Sequence, residues 1–345
     1  MPDLYPIARR VLFSLDAERA HHVTLGGMKL AEQLRILAAL TGGQAAQSKT
    51  TPVKLMGLEF PNRVGLAAGL DKSGAAVDAF GSIGCGHVEV GTVTPRPQPG
   101  NAAPRLFRLR EHEAIINRMG FNNPGLEGML MNLNKSARRF RGILGINIGK
   151  NFDTPNEQAI DDYLTCFEAV YPKADYVTAN LSSPNTKGLR DLQSGETCRD
   201  LLEKLQQLRA KLSETHGGKQ VPIVIKIAPD LDRDAISDLA AAFNEKRVDG
   251  VITTNTTIER EVVKGHALAD EAGGLSGAPL REQSLKILEW LRADLDDEIP
   301  IIASGGMMDK ADAEERLAAG AELVQVYTGL VYRGPKLIRE MATLA

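Results

Sequence analysis

The chain has 345 residues, 43% of them hydrophobic and 25% charged, and a net charge of −3. That makes it a globular protein with room for one barrel-sized domain or two smaller ones, and it excludes a disordered or fibrous chain. Its 41 basic residues against 44 acidic ones give no global field for nucleic acid, so no nucleic-acid partner is expected.

The N-terminus has no continuous apolar core before a small-residue cleavage site, and no stretch reaches the roughly 18 apolar residues of a spanning helix. The expectation is a cytosolic product whose only membrane contact is peripheral. Within residues 1–40, Ile7, Val11 and Leu15 recur at helical spacing, with Leu12 beside them and Arg9, Arg10 and Ser14 opposite. A second amphipathic stretch from Ala17 to Leu40 carries Leu30, Leu34 and Leu37 on one face, so two short helices are predicted. Such a pair either plugs the barrel described below or forms an interfacial element. Residues 41–52 read as a linker, and residues 53–345 as the main domain.

From residue 60 onward a short apolar run ending in Gly, Asn, Thr or Ser alternates with a charged, Leu- and Ala-rich helical stretch. The predicted strands are Val64 to Ala68, His87 to Gly91, Gly142 to Ile146, Ala174 to Ala179, Pro222 to Ile227, Gly250 to Thr254, Pro300 to Ala303 and Glu322 to Tyr327. The paired helices are Ser73 to Ile83, Gly125 to Arg139, Asn156 to Ala169, Glu196 to Thr215, Asp232 to Asn244, Leu280 to Ala293, Asp309 to Ala318 and Lys336 to Thr343. Eight such units predict an α/β TIM barrel, whose active site collects at the C-terminal ends of the strands. Three long connections lie there, Thr92 to Asn123, Ser182 to Gly195 and Asn255 to Ala278, and Arg105 to Ile116 suggests a hairpin in the first.

The loop from Asn180 to Thr186 is the densest polar signal: hydroxyls and amides that both donate and accept, set after a buried strand. It could grip a neutral, amide-edged ring or be an ordinary turn. Double glycines follow strand seven, at Ser304-Gly305-Gly306, and Gly329 follows strand eight; there the backbone can approach a phosphate, or simply turn. Lys226, near the end of strand five, can stabilise negative charge or form a Schiff base. Cys85, Cys166 and Cys198 are far apart and lack CxxC or His-rich context, so neither a disulfide framework nor a metal site is expected.

These segments together resemble one family. Ala68-Gly69-Leu70-Asp71-Lys72, Gly91 to Gly100, Asn117-Arg118-Met119-Gly120-Phe121-Asn122-Asn123, Gly145 to Asn151, Asn180 to Thr186, Lys226 to Asp230 and Thr254 to Thr257 are similar, in order and spacing, to the dihydroorotate dehydrogenases. The resemblance runs almost end to end. Ser183 stands where the membrane-associated, quinone-reducing class 2 keeps its catalytic base and the soluble class has cysteine. It implies FMN, with contacts from Ala68, Gly69, Leu70, Asp71, Lys72, Thr92, Asn147, Asn180, Lys226, Thr254, Gly277, Gly306, Tyr327 and Thr328. For dihydroorotate and orotate it implies Lys72, Asn117, Arg118, Met119, Gly120, Phe121, Asn180, Asn185, Asn255 and Thr256, with Thr186 and Phe121 assisting Ser183. The N-terminal pair would admit a membrane quinone near His21 and Arg108, with His22 as a neighbouring alternative. A monomer held peripherally at the cytoplasmic side of the inner membrane is expected. Strand seven departs from the family pattern, which tends to carry a glycine and a valine before Gly305-Gly306. A soluble enzyme with another acceptor, or a non-redox lyase with Lys226 as electrophile, are the alternatives; a yellow chromophore separates the last.

Overall fold

The computed structural model describes residues 5–42, 50–186, 189–193 and 195–344. Three helices open the chain, α1 (Tyr5–Ser14), α2 (Ala17–Gln33) and α3 (Leu37–Thr41), followed by an antiparallel hairpin of β1 (Val53–Leu55) and β2 (Leu58–Phe60). Then come β3 (Val64–Leu66), β4 (His87–Val93), β5 (Leu106–Leu109), β6 (Ala114–Asn117), β7 (Ile143–Ile148), β8 (Tyr176–Asn180), β9 (Ile223–Ile227), β10 (Gly250–Thr253), β11 (Gly274–Gly277), β12 (Ile301–Ser304) and β13 (Leu323–Val326). The barrel closes in the order β3, β4, β7, β8, β9, β10, β12, β13 and back to β3, with every pairing parallel.

Each of the eight predicted strands is one of these, shifted by a residue or two at its ends. Their β-branched residues are buried on both faces, inside the barrel and under the helices, as a parallel sheet requires. Two predicted helices differ. The first is shorter, Val77–Ser82, because the preceding loop is held by Asp71. The last, Pro335–Met341, lies within two residues of its predicted bounds but is preceded by an unpredicted helix, Thr328–Arg333, the two separated at Gly334, whose φ is +72° and where a Cβ would collide with the Tyr5 ring.

Inside the barrel's lower end, Phe60 from the β1–β2 hairpin packs among Tyr176, Val224, Ile252, Ile302 and Leu323. The hairpin thus plugs the bottom, one role open to the N-terminal helices. Those helices lie instead on the mouth side, where α2 contacts β5 and α1 contacts the helix Thr328–Arg333. Tyr5 Oη donates to Val331 O at 2.6 Å and Arg9 Nη1 to Tyr332 O at 2.7 Å. The expected two helices are three because Arg35 takes φ +59°. Leu37 is therefore buried on α3, while Leu30 and Leu34 stay 57% and 61% exposed. Of the predicted linker, residues 43–49 lie outside the described residues.

The predicted hairpin exists as β5 and β6, and β11 pairs with β6 to give a three-stranded antiparallel sheet over the mouth. Leu109, Ala114, Ile116, Val263 and Leu275 form its own small core. No helix among the described residues is long and apolar enough to cross a membrane.

Candidate active site

The site is built on a buried carboxylate. Glu89, midway along β4, is fully buried and accepts from Asn147 Nδ2 (2.8 Å), Gln325 Nε2 (3.0 Å), Tyr176 Oη (3.0 Å) and Thr178 Oγ1 (3.1 Å). Burial raises the Tyr176 hydroxyl well above its ordinary value, and the neighbouring Glu89 carboxylate adds to that. Asn147 Oδ1 in turn accepts from Thr92 Oγ1 (2.5 Å) and Asn180 Nδ2 (3.2 Å). Asn180 Oδ1 accepts from Ser182 Oγ (3.1 Å) and Asn255 Nδ2 (3.3 Å). A charge of this kind is tolerated in a barrel core because several donors satisfy it, and the network fixes which way each amide points.

Above this floor opens a cleft toward the barrel mouth. Its back wall carries Lys226, Thr92, Asn180 and Thr254, with Ala68 and Gly69 beside them. The register that pairs Asn180 with Lys226 puts the lysine at the strand's end. Burial lowers the Lys226 pKa, and the Glu89 carboxylate offsets part of that. One end is lined by Gly277, Gly306, Tyr327 and Thr328. A Cβ on Gly306 (φ +72°) would collide with Arg281 Cα, and one on Gly277 (φ +96°) with Glu113 O, so the backbone is bare there by necessity. The glycine–valine departure in strand seven leaves this turn intact, with Gly305 at φ +105°.

The other end gathers Lys72, Asn117, Met119, Gly120, Phe121, Ser183, Asn185, Asn255 and Thr256, all from loops at strand ends or from β6. Asn185 Nδ2 donates to Asn117 Oδ1 at 3.3 Å, joining the Ser183 loop to the mouth sheet. Ser183 Oγ accepts the Asn185 N–H at 3.2 Å. Phe121 is 8% exposed, its backbone at φ +52°. Lys72 Nζ donates to Gly69 O at 2.8 Å, and burial brings its pKa down to about 8.

Several expected residues do not line the cleft. Leu70 and Asp71 sit behind it, where Asp71 accepts from the N–H groups of Ala75 (2.9 Å) and Ala76 (2.7 Å) and shapes the loop. Burial raises the Asp71 pKa. Asn147 lies one layer beneath, acting through Thr92 and Asn180. Arg118 turns outward, pairing with Glu271 at 2.6 Å and stacking on Phe107 at 4.5 Å. Thr186 is buried, and its carbonyl accepts the Leu189 N–H at 3.2 Å. Residues 187, 188 and 194 of the same loop lie outside the described residues.

His21 and Arg108 sit at the helical pair. Arg108 donates Nη1 to Leu12 O at 3.2 Å and Nη2 to Leu15 O, and its guanidinium lies 4.6 Å from the Phe13 ring centroid. It thereby satisfies carbonyls at the α1 C-terminus. His21 is the inward member of its pair, since the His22 side chain is 68% exposed. Burial, with Lys72 nearby, lowers the His21 pKa to about 3, so the imidazole is neutral.

The sequence reading missed Glu89, Gln325 and Ser276. A glutamate amid Val88 and Val90, and a glutamine amid Val324 and Val326, were the available signals: polar residues inside runs that read as buried strand. Ser276 Oγ lies 2.8 Å from Thr328 Oγ1 in the cleft wall, and nothing local in the sequence distinguished it.

Residues 50–343 match the family described as Dihydroorotate dehydrogenase. A dihydroorotate dehydrogenase (quinone) of Marinobacter nauticus is 56% identical over 337 residues, 98% of this chain and 97% of the relative. Its counterpart in Chromobacterium violaceum is 54% identical over 339 residues, 98% and 96% of the two chains. A crystal structure of DHODH from Eimeria tenella in complex with ferulenol superposes with a TM-score of 0.84 at 39% identity, covering 94% of this chain and 89% of that one. The barrel, its Asn- and Ser-lined mouth and these likenesses agree: the chain belongs to the dihydroorotate dehydrogenase family, in its quinone-dependent class.

Proposed function

We propose that this chain oxidises (S)-dihydroorotate to orotate in de novo UMP biosynthesis, with FMN as hydride acceptor and a membrane quinone as final electron acceptor. The family is flavin-dependent, and the cleft fits FMN. Bare backbone at Gly277 and Gly306 suits a phosphate, and Gln325 Oε1, buried without a hydrogen-bond partner, offers an acceptor to a ring N–H. When bound, FMN supplies the site that receives the hydride.

The chain's own residues do the rest. Lys226 brings a buried cation to the back wall, where negative charge is strongly stabilised because water is excluded. Asn117, Asn180, Asn185 and Asn255 supply neutral donors and acceptors for the alternating amide edge of the substrate, and Lys72 supplies a cation for its carboxylate. Ser183 takes the ring-carbon proton at Oγ. The Asn185 N–H already donates to that oxygen, which stabilises charge on it, and the serine's own hydrogen passes outward to water with Thr186 as helper while the ring-carbon proton arrives. Phe121 covers the path from solvent.

The quinone arm rests on α1–α3. Seven of the eleven exposed large hydrophobic residues among those described lie on these helices or in the turn joining α2 to α3: Ile7, Val11, Val23, Leu30, Leu34, Ile36 and Leu40. An apolar patch concentrated on amphipathic helices suits peripheral insertion into one leaflet, here the cytoplasmic face of the inner membrane, by a monomer. Neutral His21 and fixed Arg108 are the polar groups nearest the quinone in this reading.

The observation that carries the reading is that Ser183 and Lys226 line one asparagine-lined cleft. Anaerobic stopped-flow mixing with dihydroorotate should bleach the flavin, and ubiquinone or menaquinone analogues, but not fumarate or NAD, should restore it. Ser183→Ala should slow bleaching about 10²- to 10⁴-fold at neutral pH. Wild-type bleaching in that variant, or a protein that takes up no FMN, would sink the assignment.

A further inference from the structure

Helix α2 makes one charged contact that a quinone entrance does not require. Glu18, on its first turn, accepts from Arg105 Nε at 3.1 Å on each carboxylate oxygen and from Nη2 at 2.6 Å. The pair is secluded, the two side chains being 17% and 14% exposed. The same guanidinium donates Nη1 to Pro99 O (2.7 Å) and Asn101 O (2.8 Å). Asn101 then donates its side-chain amide to Arg118 O at 2.8 Å and its backbone N–H to Met119 O at 3.1 Å. Gly120, at φ +70°, lies so close that a Cβ would sit 2.9 Å from Asn101 Cγ. An unbroken chain of short contacts therefore runs from the appended helix into the wall formed by Met119, Gly120 and Phe121 on the substrate side of the cleft.

Building on the substrate reading above, we propose that Glu18 is a positioning residue for dihydroorotate: through Arg105 and Asn101 it fixes that wall, so the N-terminal helices complete the substrate half of the site as well as the quinone half. A second effect follows from charge. The groups facing Lys72 are Glu18 and His21 of α2, Arg105 before β5, and Asp71 on its own loop. Burial lowers the lysine to about 8, Glu18 is its foremost raising neighbour, and Arg105 lowers it further. Removing the Glu18 charge takes away that support and leaves the Arg105 charge uncompensated, so Lys72 loses its proton at a lower pH.

The test compares Glu18→Gln, Glu18→Asp and the wild-type holoenzyme by anaerobic flavin reduction without quinone, by steady-state turnover with a ubiquinone analogue, and by calorimetric titration with orotate. Glu18→Gln should weaken both dihydroorotate (as KM) and orotate (as Kd) about tenfold, the scale of one charge-assisted hydrogen bond. The limiting reduction rate should change less than twofold, and the alkaline limb of kcat/KM should move toward neutral pH. Glu18→Asp should restore the position of the limb. If Glu18→Gln does not fold, Asn101→Ala interrupts the same chain from its other end and should raise the same KM. Unchanged dihydroorotate KM and orotate Kd beside a normally reducing wild type, or a change confined to the quinone KM, would overturn the positioning role alone. A wild type that dihydroorotate does not reduce would instead overturn the functional reading, and this role with it.

Discussion

The barrel mouth and the N-terminal helices hold their side chains by opposite means. At the mouth, polar groups are buried and satisfy one another: Glu89, Asn147, Thr92, Asn180 and Asn255 form one connected network with little exposed surface. Within residues 5–42 seven large apolar residues face outward, and polar ties such as Tyr5 to Val331, Arg9 to Tyr332, Arg108 to Leu12 and Glu18 to Arg105 help attach the helices. Chemistry that must orient a ring needs fixed amides, whereas a surface that meets lipid needs apolar area left unburied in the folded chain.

The largest effect should come from breaking the mouth network at its root. Glu89→Ala leaves Asn147, Gln325, Tyr176 and Thr178 without their acceptor, which by analogy with a broken buried charge contact costs about 3–5 kcal/mol. Urea unfolding measures it, and a loss under 1 kcal/mol would mean the network is not what holds the mouth. The helices should respond in the opposite sense. Ile7→Asp with Val11→Asp should leave the unfolding free energy within about 0.5 kcal/mol, since both side chains are exposed. Vesicle partitioning of that double variant should fall roughly 100-fold, from about 1.5 kcal/mol or more of apolar burial lost per residue. If stability fell and partitioning held, that face would be packing surface after all.

The smallest expected effect sharpens the comparison at the barrel's lower end. His87 is fully buried beside Phe60, neither ring nitrogen has a hydrogen-bond partner, and burial lowers its pKa to about 3. The folded protein therefore holds it neutral, while the unfolded chain protonates it near its ordinary value of about 6.5. Between those values the unfolded state binds more protons, so stability is present above about pH 6.5 and is lost as pH falls toward 3. At pH 5 the loss relative to pH 7 is ~2 kcal/mol from this residue. His87→Leu should flatten that slope in urea titrations at the two pH values.

Much of this was legible in the chain. Apolar runs ended by Gly, Asn or Ser marked all eight barrel strands, because residues buried on both faces of a parallel sheet leave no alternation to mistake. Strand-end polar clusters located the mouth by the logic of the fold. The misreadings have a common cause. Leu30 and Leu34 lie on an apolar face, yet periodicity identifies a face without saying whether protein, lipid or water covers it. Arg35 at φ +59° ended α2 where no glycine or proline gave warning. Glu89 and Gln325 stood inside apparent apolar strands, and their value depends on partners up to 236 residues away.

Local chemistry thus determined the strands, the loops that carry Ser183 and the asparagines, and the bare glycine turns, because backbone preference and burial pattern are properties of short segments. Barrel closure decided what those groups became. It alone set Lys226 and Ser183 in one cleft and gathered four donors on Glu89, and the docking of α2 beside it brought Glu18 to Arg105, since contacts among distant segments depend on packing geometry that no short segment encodes.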